Sequence, residues 1–306
     1  MEYLIAIIGP TAAGKSKLAL HLAQCLPAEI VSADSRQIYR YMDIGSNKPS
    51  MDERALIPHH LIDVVNPDDE FNQAMYQQMA SEAIRSIQQK GKLPLLVGGT
   101  GLYVWSILEG WKIPQVSPNP QLRHTLETRA QQESSYPLYK ELQQIDPLAA
   151  ARIHPCNTRR IIRALEIYHA SGQLPSQLWR KETPSFSTLI IGLTMTRSEL
   201  YGRIDSRVDK MIQQGLVKEV AELVKMGYNL SLPPMSGIGY KQIGQFLQGE
   251  MDLPSAIEKT KYATHHLARR QYAWFHLDDK RIHWLDASQP STTLEDAEKL
   301  IRGFVA

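Results

Sequence analysis

The sequence predicts an α/β protein: a parallel sheet flanked by helices and interrupted by a helical insertion. Three observations predict it. Short apolar runs alternate with helical stretches through the first third of the chain, as in successive βαβ units. A glycine turn joins the first run directly to the first helix. Prolines then crowd one region, with eight of the 18 falling between Pro114 and Pro184, where no strand pattern stands out.

The runs that read as strands are residues 3–8, 29–32, 61–65, 93–97, 188–194 and 281–285, each short, apolar and bounded by turn residues. Helical patterns cover residues 15–26, 70–90 and 101–109 in the first half, with helices expected on both sheet faces. Within the proline-rich stretch, residues 121–133, 136–144 and 158–170 read as helices set off by Pro or by Ser171-Gly172. Two long helices are expected over residues 198–225 and 255–277, separated by the turn-rich Leu232-Pro233-Pro234-Met235-Ser236-Gly237. The domain reading is therefore a core over residues 1–113 and 187–306, the latter carrying C-terminal helices, and an insertion over 114–186.

A chain of 306 residues accommodates two domains or one domain with a large insertion, and either buries a real core. With 43% hydrophobic and 22% charged residues, the composition excludes disorder as the main state. No run approaches the roughly 18 apolar residues of a membrane span. The first residues carry no basic leader and run into the glycine turn, so they read as a strand rather than a secretion signal, and a cytoplasmic location is expected. Cys25 and Cys156 lie far apart without His or Cys neighbours at ligand spacing, which removes a disulfide framework and a cysteine-based zinc site. A net charge of +2 is too mild to announce a nucleic-acid partner, so charge has to be read locally.

The strongest local signal is Gly9-Pro10-Thr11-Ala12-Ala13-Gly14-Lys15-Ser16, which fits G-x-x-x-x-G-K-[ST] between a strand and a helix. Such a loop turns successive backbone N–H groups inward, and the helix N-terminus adds positive potential. Lys15 is suited to reach a terminal phosphate and the Ser16 hydroxyl to ligate Mg²⁺. The motif implies a polyphosphorylated ligand without saying which. No apolar strand ends in the Asp-Glu pair that would hold magnesium for water activation, which disfavours hydrolysis as the purpose.

Asp34 follows the second strand, at the sheet edge where open α/β folds bind ligands, and is expected to face the phosphate loop. A carboxylate beside polyphosphate implies a task, either metal ligation through water or proton acceptance; a turn-capping Asp is the alternative. Asp43 and Lys48 read as surface turn residues, with substrate contact the less favoured reading. Val97-Gly98-Gly99-Thr100-Gly101 repeats the strand–glycine–helix design, so Thr100 offers a hydroxyl at a helix start, either to a ligand or as an N-cap.

These segments resemble the tRNA dimethylallyltransferase (isopentenyl-tRNA transferase) family. The resemblance covers nearly the whole chain in order: the phosphate loop; Asp34-Ser35-Arg36-Gln37-Ile38-Tyr39 with Met42-Asp43-Ile44-Gly45; Pro58-His59-His60-Leu61-Ile62-Asp63; Val97 to Tyr103; Arg159-Arg160-Ile161-Ile162-Arg163; Gly239-Tyr240-Lys241; and Arg269-Arg270-Gln271 with Trp274. It implies a P-loop kinase-like core with a helical insertion. It further implies transfer of a dimethylallyl group from dimethylallyl diphosphate to N6 of the adenosine adjoining the anticodon's third base, with Mg²⁺, releasing diphosphate. Asp34 then matches the family's general base, and Thr100 meets the adenosine beside it. The loop residues Gly9 to Ser16 hold the diphosphate with Arg207, which without the resemblance pairs with Arg203 as an exposed i,i+4 helix stripe.

Contacts to tRNA are implied at Asp34, Ser35, Arg36, Gln37 and Thr100; at Arg123, Arg159, Arg160, Ile161, Ile162 and Arg163 of the insertion; at Ser236, Gly237, Ile238, Gly239, Tyr240 and Lys241; and at Arg269, Arg270 and Gln271. Residues 259–281 hold six Lys or Arg against two Asp, with Tyr272 and Trp274 interleaved. At helical spacing Lys261, His265, Arg269, Tyr272 and His276 share a polar stripe, either tRNA-facing or merely solvated, while Ala263, Leu267, Trp274 and Leu277 form an apolar stripe expected in the core. The chain departs from the family where Cys156-Asn157 precedes the arginine run and where His265 and His276 stand at arginine positions, which implies weakened or pH-dependent phosphate contacts. The zinc finger of many eukaryotic members is absent, which favours a bacterial-type enzyme and, by default, a monomer. Competing readings are an adenylate prenyltransferase acting on AMP or ATP, a small-molecule P-loop kinase using MgATP, and a catalytically silent RNA-binding protein.

Overall fold

The computed structural model describes residues 2–114, 116 and 119–306, so Pro118 of the proline cluster lies outside the described residues. The chain forms two compact units. One runs to Leu108 and resumes at Pro184; the other spans Glu109–Thr183.

The larger unit is built on β1 (Tyr3–Ile8), β2 (Ala28–Ser32), β3 (His59–His60) and β4 (Leu93–Val97), with α1 (Lys15–Cys25), α2 (Met51–Leu56), α3 (Gln73–Gln89) and α4 (Gly101–Leu108) between and after them. The smaller unit holds β5 (Trp111–Lys112), α5 (Pro120–Glu133), α6 (Tyr136–Ile145), α7 (Pro147–Ala150), α8 (Thr158–Ser171), α9 (Pro175–Leu178) and β6 (Arg180–Lys181). The larger unit then continues through β7 (Ser187–Thr194), α10 (Arg197–Gln213), α11 (Leu216–Lys225), α12 (Tyr240–Leu247), α13 (Leu253–Tyr272), β8 (Ile282–Asp286) and α14 (Pro290–Val305).

The six long-unit strands form one parallel sheet in the order β3-β2-β4-β1-β7-β8. β1 sits between β4 and β7, so its Leu4 to Ile8 side chains are fully buried, the near-continuous apolar run expected of a strand covered on both faces. Ile5 and Ile7 join Leu18 and Leu22 of α1, Ile191 and Leu193 of β7, Ile204 of α10 and Ile301 of α14 in one core.

Helix ends follow local chemistry. Asn72 accepts from the amides of Ala74 and Met75 to start α3, Ser50 and Glu53 form a capping box on α2, and Asp252 caps α13 through the Ser255 amide. The helix expected over residues 198–225 is instead two, because Gly215 takes a left-handed conformation (φ 102°) and redirects the chain between α10 and α11. The strand expected over residues 61–65 is also corrected. Leu61 and Asp63 both adopt positive φ, which breaks an extended run, and the ladder with β2 is confined to His59 and His60.

Glu29 of β2 is 2% exposed yet accepts from Lys92 (2.9 Å), His60 (2.8 Å) and Lys90 (3.4 Å). Burial alone would raise its pKa, but these partners outweigh it and bring the carboxyl down to about 2. The stabilisation is therefore present above pH 4.5 and is lost as pH falls from there toward 2. Glu29→Gln is expected to cost about 2–3 kcal/mol at pH 7, read by chemical denaturation, and the gap from wild type should close at pH 2.

In the smaller unit, Leu126, Leu138, Leu142, Ile161, Ile162 and Leu165 pack the helices together. Its polar centre is Glu166, fully buried, which accepts from Arg123 (2.7 Å), Arg163 (2.9 Å) and the Asn119 amide (3.0 Å). Burial disfavours its charge, but the two guanidinium groups more than compensate and lower its pKa. β5 and β6, which the sequence reading did not contain, pair antiparallel, and Lys181 bridges to Glu109 at 2.5 Å. This closure at the unit's base sets its ends at Glu109 and Thr183, where the sequence reading had 114 and 186.

Candidate active site

The loops leaving β1, β2 and β4 meet at the carboxyl edge of the sheet because their backbones are hydrogen-bonded to one another. Gly98 N–H donates to Ile7 (3.1 Å), Ala33 N–H to Val97 (2.7 Å) and Thr100 N–H to Ala33 (3.2 Å). The fit leaves no room for a side chain at Gly98, where a Cβ would stand 2.1 Å from the Ala33 carbonyl oxygen.

The phosphate loop turns through positive φ at Gly9, Ala12 and Gly14 and delivers the chain into α1. Lys15 Nζ donates to the Pro10 carbonyl at 2.7 Å. Its pKa falls to about 7, first through burial and then through repulsion from Arg207, while Asp34 offsets part of the shift. Arg207 of α10 reaches the loop from the side and donates to Thr11 Oγ1 at 3.3 Å. Two cations are thus crowded over a loop of backbone donors, an arrangement that favours an incoming anion.

Asp34 and Thr100 are each fixed by one backbone amide. Asp34 Oδ1 accepts from Arg36 N–H at 2.8 Å, and Thr100 Oγ1 accepts from Ser35 N–H at 3.1 Å. Among the described residues nothing hydrogen-bonds the second carboxylate oxygen of Asp34 or accepts from the Thr100 hydroxyl. Thr11, Asp34, Thr100 and Arg207 line one cavity of about 460 Å³, whose other walls include Val208 and Met211 of α10 and Leu267, Arg270 and Trp274. Its lining brings together a guanidinium, a carboxylate, a hydroxyl and apolar side chains.

The sequence matches the IPP transferase family over residues 37–278 and the Isopentenyl transferase family over residues 2–64. It is 50% identical over 299 residues to a tRNA dimethylallyltransferase of Roseiflexus castenholzii, covering 98% of this chain and 97% of that protein. The chain belongs to the tRNA dimethylallyltransferase family. The solved full-length tRNA isopentenylpyrophosphate transferase of Bacillus halodurans is similar at a TM-score of 0.74 and 38% identity, over 99% of this chain and 96% of that one. A eukaryotic dimethylallyltransferase acting on tRNA is similar at a TM-score of 0.83 and 28% identity, over 98% of this chain and 78% of that one. The parallel sheet with flanking helices is the P-loop kinase-like fold of these relatives.

For a member of this family, several residues expected at the substrates are occupied elsewhere. Ile161 and Ile162 are buried in the insertion's core, so they offer RNA no side-chain surface. Arg123 and Arg163 are spent on Glu166, whereas Arg159 and Arg160 are exposed. Arg36 lines the cavity but donates to the carbonyls of Pro233 and Pro234, and Gln37 donates to the Asn47 carbonyl at 3.1 Å. Tyr240 is 1% exposed and donates to Glu219 at 2.7 Å. Gln271, 7% exposed, lines the cavity and also ties its walls together, accepting from Thr11 N–H at 2.7 Å and donating to the Gly99 carbonyl at 3.0 Å. Ser236, Gly237, Ile238, Gly239 and Arg270 line the cavity with Ser35, and Lys241 and Arg269 are exposed. Ser16 is exposed and is not among the cavity's lining residues.

The helix stripes also come out differently. Lys261 pairs with Asp209 at 2.9 Å, and His265 stacks on Tyr201 and stands 2.8 Å from Asp205, so these two face α10, while Arg269 and His276 of the same stripe are exposed. Of the apolar stripe, Leu267 and Trp274 line the cavity and Leu277 is exposed, while the core side of α13 is Ala256, Thr260, Ala268 and Gln271. Lys48 is not a surface residue but a buried tie joining Asp43, Asp63 and the Tyr39 carbonyl. Glu219, which the sequence reading missed, accepts from the amides of Asp43, Ile44 and Gly45 and so pins the loop whose Gly45, Ser46 and Asn47 border the cavity. A lone glutamate on an amphipathic helix carries no sequence signal for that role.

Proposed function

We propose that the chain transfers a dimethylallyl group from dimethylallyl diphosphate to the exocyclic N6 of the adenosine adjoining the anticodon in tRNA, as a monomer in the cytoplasm. The observation that carries this reading is the sharing of one cavity by Thr11 of the phosphate loop, Arg207, Thr100 and the fixed carboxylate of Asp34.

The N6 lone pair of adenine is delocalised into the ring, so attack on the allylic carbon gains from removal of its proton. Asp34 takes that proton on the oxygen not engaged by Arg36, and Thr100 donates its hydroxyl toward the purine. As the C1–O bond breaks, its electron pair goes to the diphosphate, whose charge is met by the loop amides, Lys15 and Arg207. A target base stacked in the anticodon loop has to be extruded to reach this cavity. Arg159, Arg160, Lys241 and Arg269 are exposed cations suited to the RNA backbone.

Mg²⁺ belongs to the same reading. Among the described residues no three His, Cys, Asp or Glu side chains group to cage a metal, which suits an ion held largely by substrate phosphates. Ser16 is an exposed hydroxyl at the start of α1 and is the protein oxygen to hold it. When bound, the ion neutralises charge on the departing diphosphate.

Labelled dimethylallyl diphosphate incubated with the protein, Mg²⁺ and bulk tRNA is expected to label tRNA, and AMP offered in its place is expected to stay unlabelled. Label in AMP with none in tRNA would transfer the reading to an adenylate prenyltransferase.

A further inference from the structure

We propose that Met211 sets the length of the prenyl chain this site accepts, an inference that rests on the prenyl-transfer reading above. Arg207, Val208 and Met211 all line the cavity from one helix, and Arg207 is anchored to the phosphate loop through Thr11. A prenyl tail therefore leaves the diphosphate beside Arg207 and runs along α10 over Val208. From Arg207 to Met211 the helix rises about 6 Å, four residues at 1.5 Å each. The extended five-carbon unit spans about 5 Å from its ester oxygen, so it ends at Met211; a ten-carbon unit needs roughly twice that and would run into the thioether.

The facing wall ends at the same level, because α13 runs antiparallel to α10, with His265 at Asp205 and Lys261 at Asp209. Leu267, Thr264 and Thr260 line the facing wall at successive turns of α13, beginning near Gln271 at the phosphate loop. In that register Arg207 stands level with Thr264 and Met211 level with Thr260, so the two walls close together. Both threonine hydroxyls donate back to the carbonyl four residues earlier, Thr260 to Ala256 and Thr264 to Thr260, so they turn their methyl groups and lone pairs outward rather than demanding a polar partner. Met211 is itself half-buried against the cluster containing Met42, Met235 and Ile243, so it is backed by packed side chains and does not swing into solvent. It closes the cavity at the level of Thr260.

The reaction with a longer donor is unchanged in balance: the C1–O bond breaks, the N6–C1 bond forms, Asp34 takes the proton and diphosphate leaves. The test offers dimethylallyl and geranyl diphosphates together, with Mg²⁺ and tRNA, and measures the two modified nucleosides by mass. Their ratio does not depend on how much of a variant folds. Met211→Ala is expected to raise the ten-carbon to five-carbon ratio at least about tenfold, and Met211→Leu, of similar volume, to keep the wild-type ratio. An unchanged ratio in the alanine variant, or a wild-type enzyme that already uses both donors equally, would overturn the proposal. The five-carbon product from the wild-type chain reports separately on the underlying reading.

Discussion

Asp34→Ala is expected to lower turnover by roughly 10²- to 10⁴-fold while leaving tRNA affinity nearly unchanged. The carboxylate is held by one amide on one oxygen, in a cavity it shares with Thr100 and Arg207. A group that only positioned the RNA would change affinity and rate together; a base acting on N6 changes the chemical step. Single-turnover rates with dimethylallyl diphosphate saturating, beside filter binding of tRNA, separate the two. Asp34→Asn makes the sharper comparison, since the amide keeps the size and one acceptor but cannot take up the proton. Wild-type turnover in the asparagine variant would remove the base from the mechanism.

Lys15→Ala is expected to reduce kcat/KM by about 10²- to 10³-fold, the loss of one preorganised cation from a diphosphate site. Its titration supplies a second readout. In the free protein its pKa is about 7, pushed down by burial and by Arg207. A bound diphosphate favours the ammonium and raises that value, so below pH 7 the group is already protonated and binding takes up no proton there. Above pH 7 binding takes up about one proton, and affinity weakens about tenfold per pH unit until the bound-state pKa is passed. Calorimetry at pH 8 in buffers of different ionisation enthalpy should show this uptake in the wild type and its loss in Lys15→Arg, whose guanidinium stays charged. Equal uptake in both proteins would assign the proton to the ligand.

How far these outcomes were legible from the residues alone depends on whether the signal is local. The phosphate loop, β1, β4 and α1 carry their instructions in adjacent residues, and strands and helices start within a residue or two of the expected places. That Asp34 and Thr100 come together at one sheet edge was legible because each follows the carboxyl end of a parallel strand. The misread segments depend on distant partners. Leu61 to Val65 is apolar enough for a strand, but Asp63 is drawn to Lys48 and Arg54, and the backbone follows the salt bridges. Arginines of the insertion read alike in sequence, yet a single buried carboxylate, Glu166, pairs with Arg123 and Arg163, while Arg159 and Arg160 are exposed. Val208 and Met211 read as ordinary apolar helix positions, because nothing nearby in sequence says that the helix borders a cavity.

The clasp made by Gln271 has a consequence for synthesis. The Thr11 amide of the donor loop is satisfied by a side chain 260 residues further along the chain, which also grips the Gly99 carbonyl. During translation the first βαβ units can emerge and pair through their own backbone hydrogen bonds, but the Thr11 amide and the Gly99 carbonyl gain this partner only once Gln271 has left the ribosome. A nascent chain thus carries the anion-binding signature before the side chain that ties its two glycine turns together has been made.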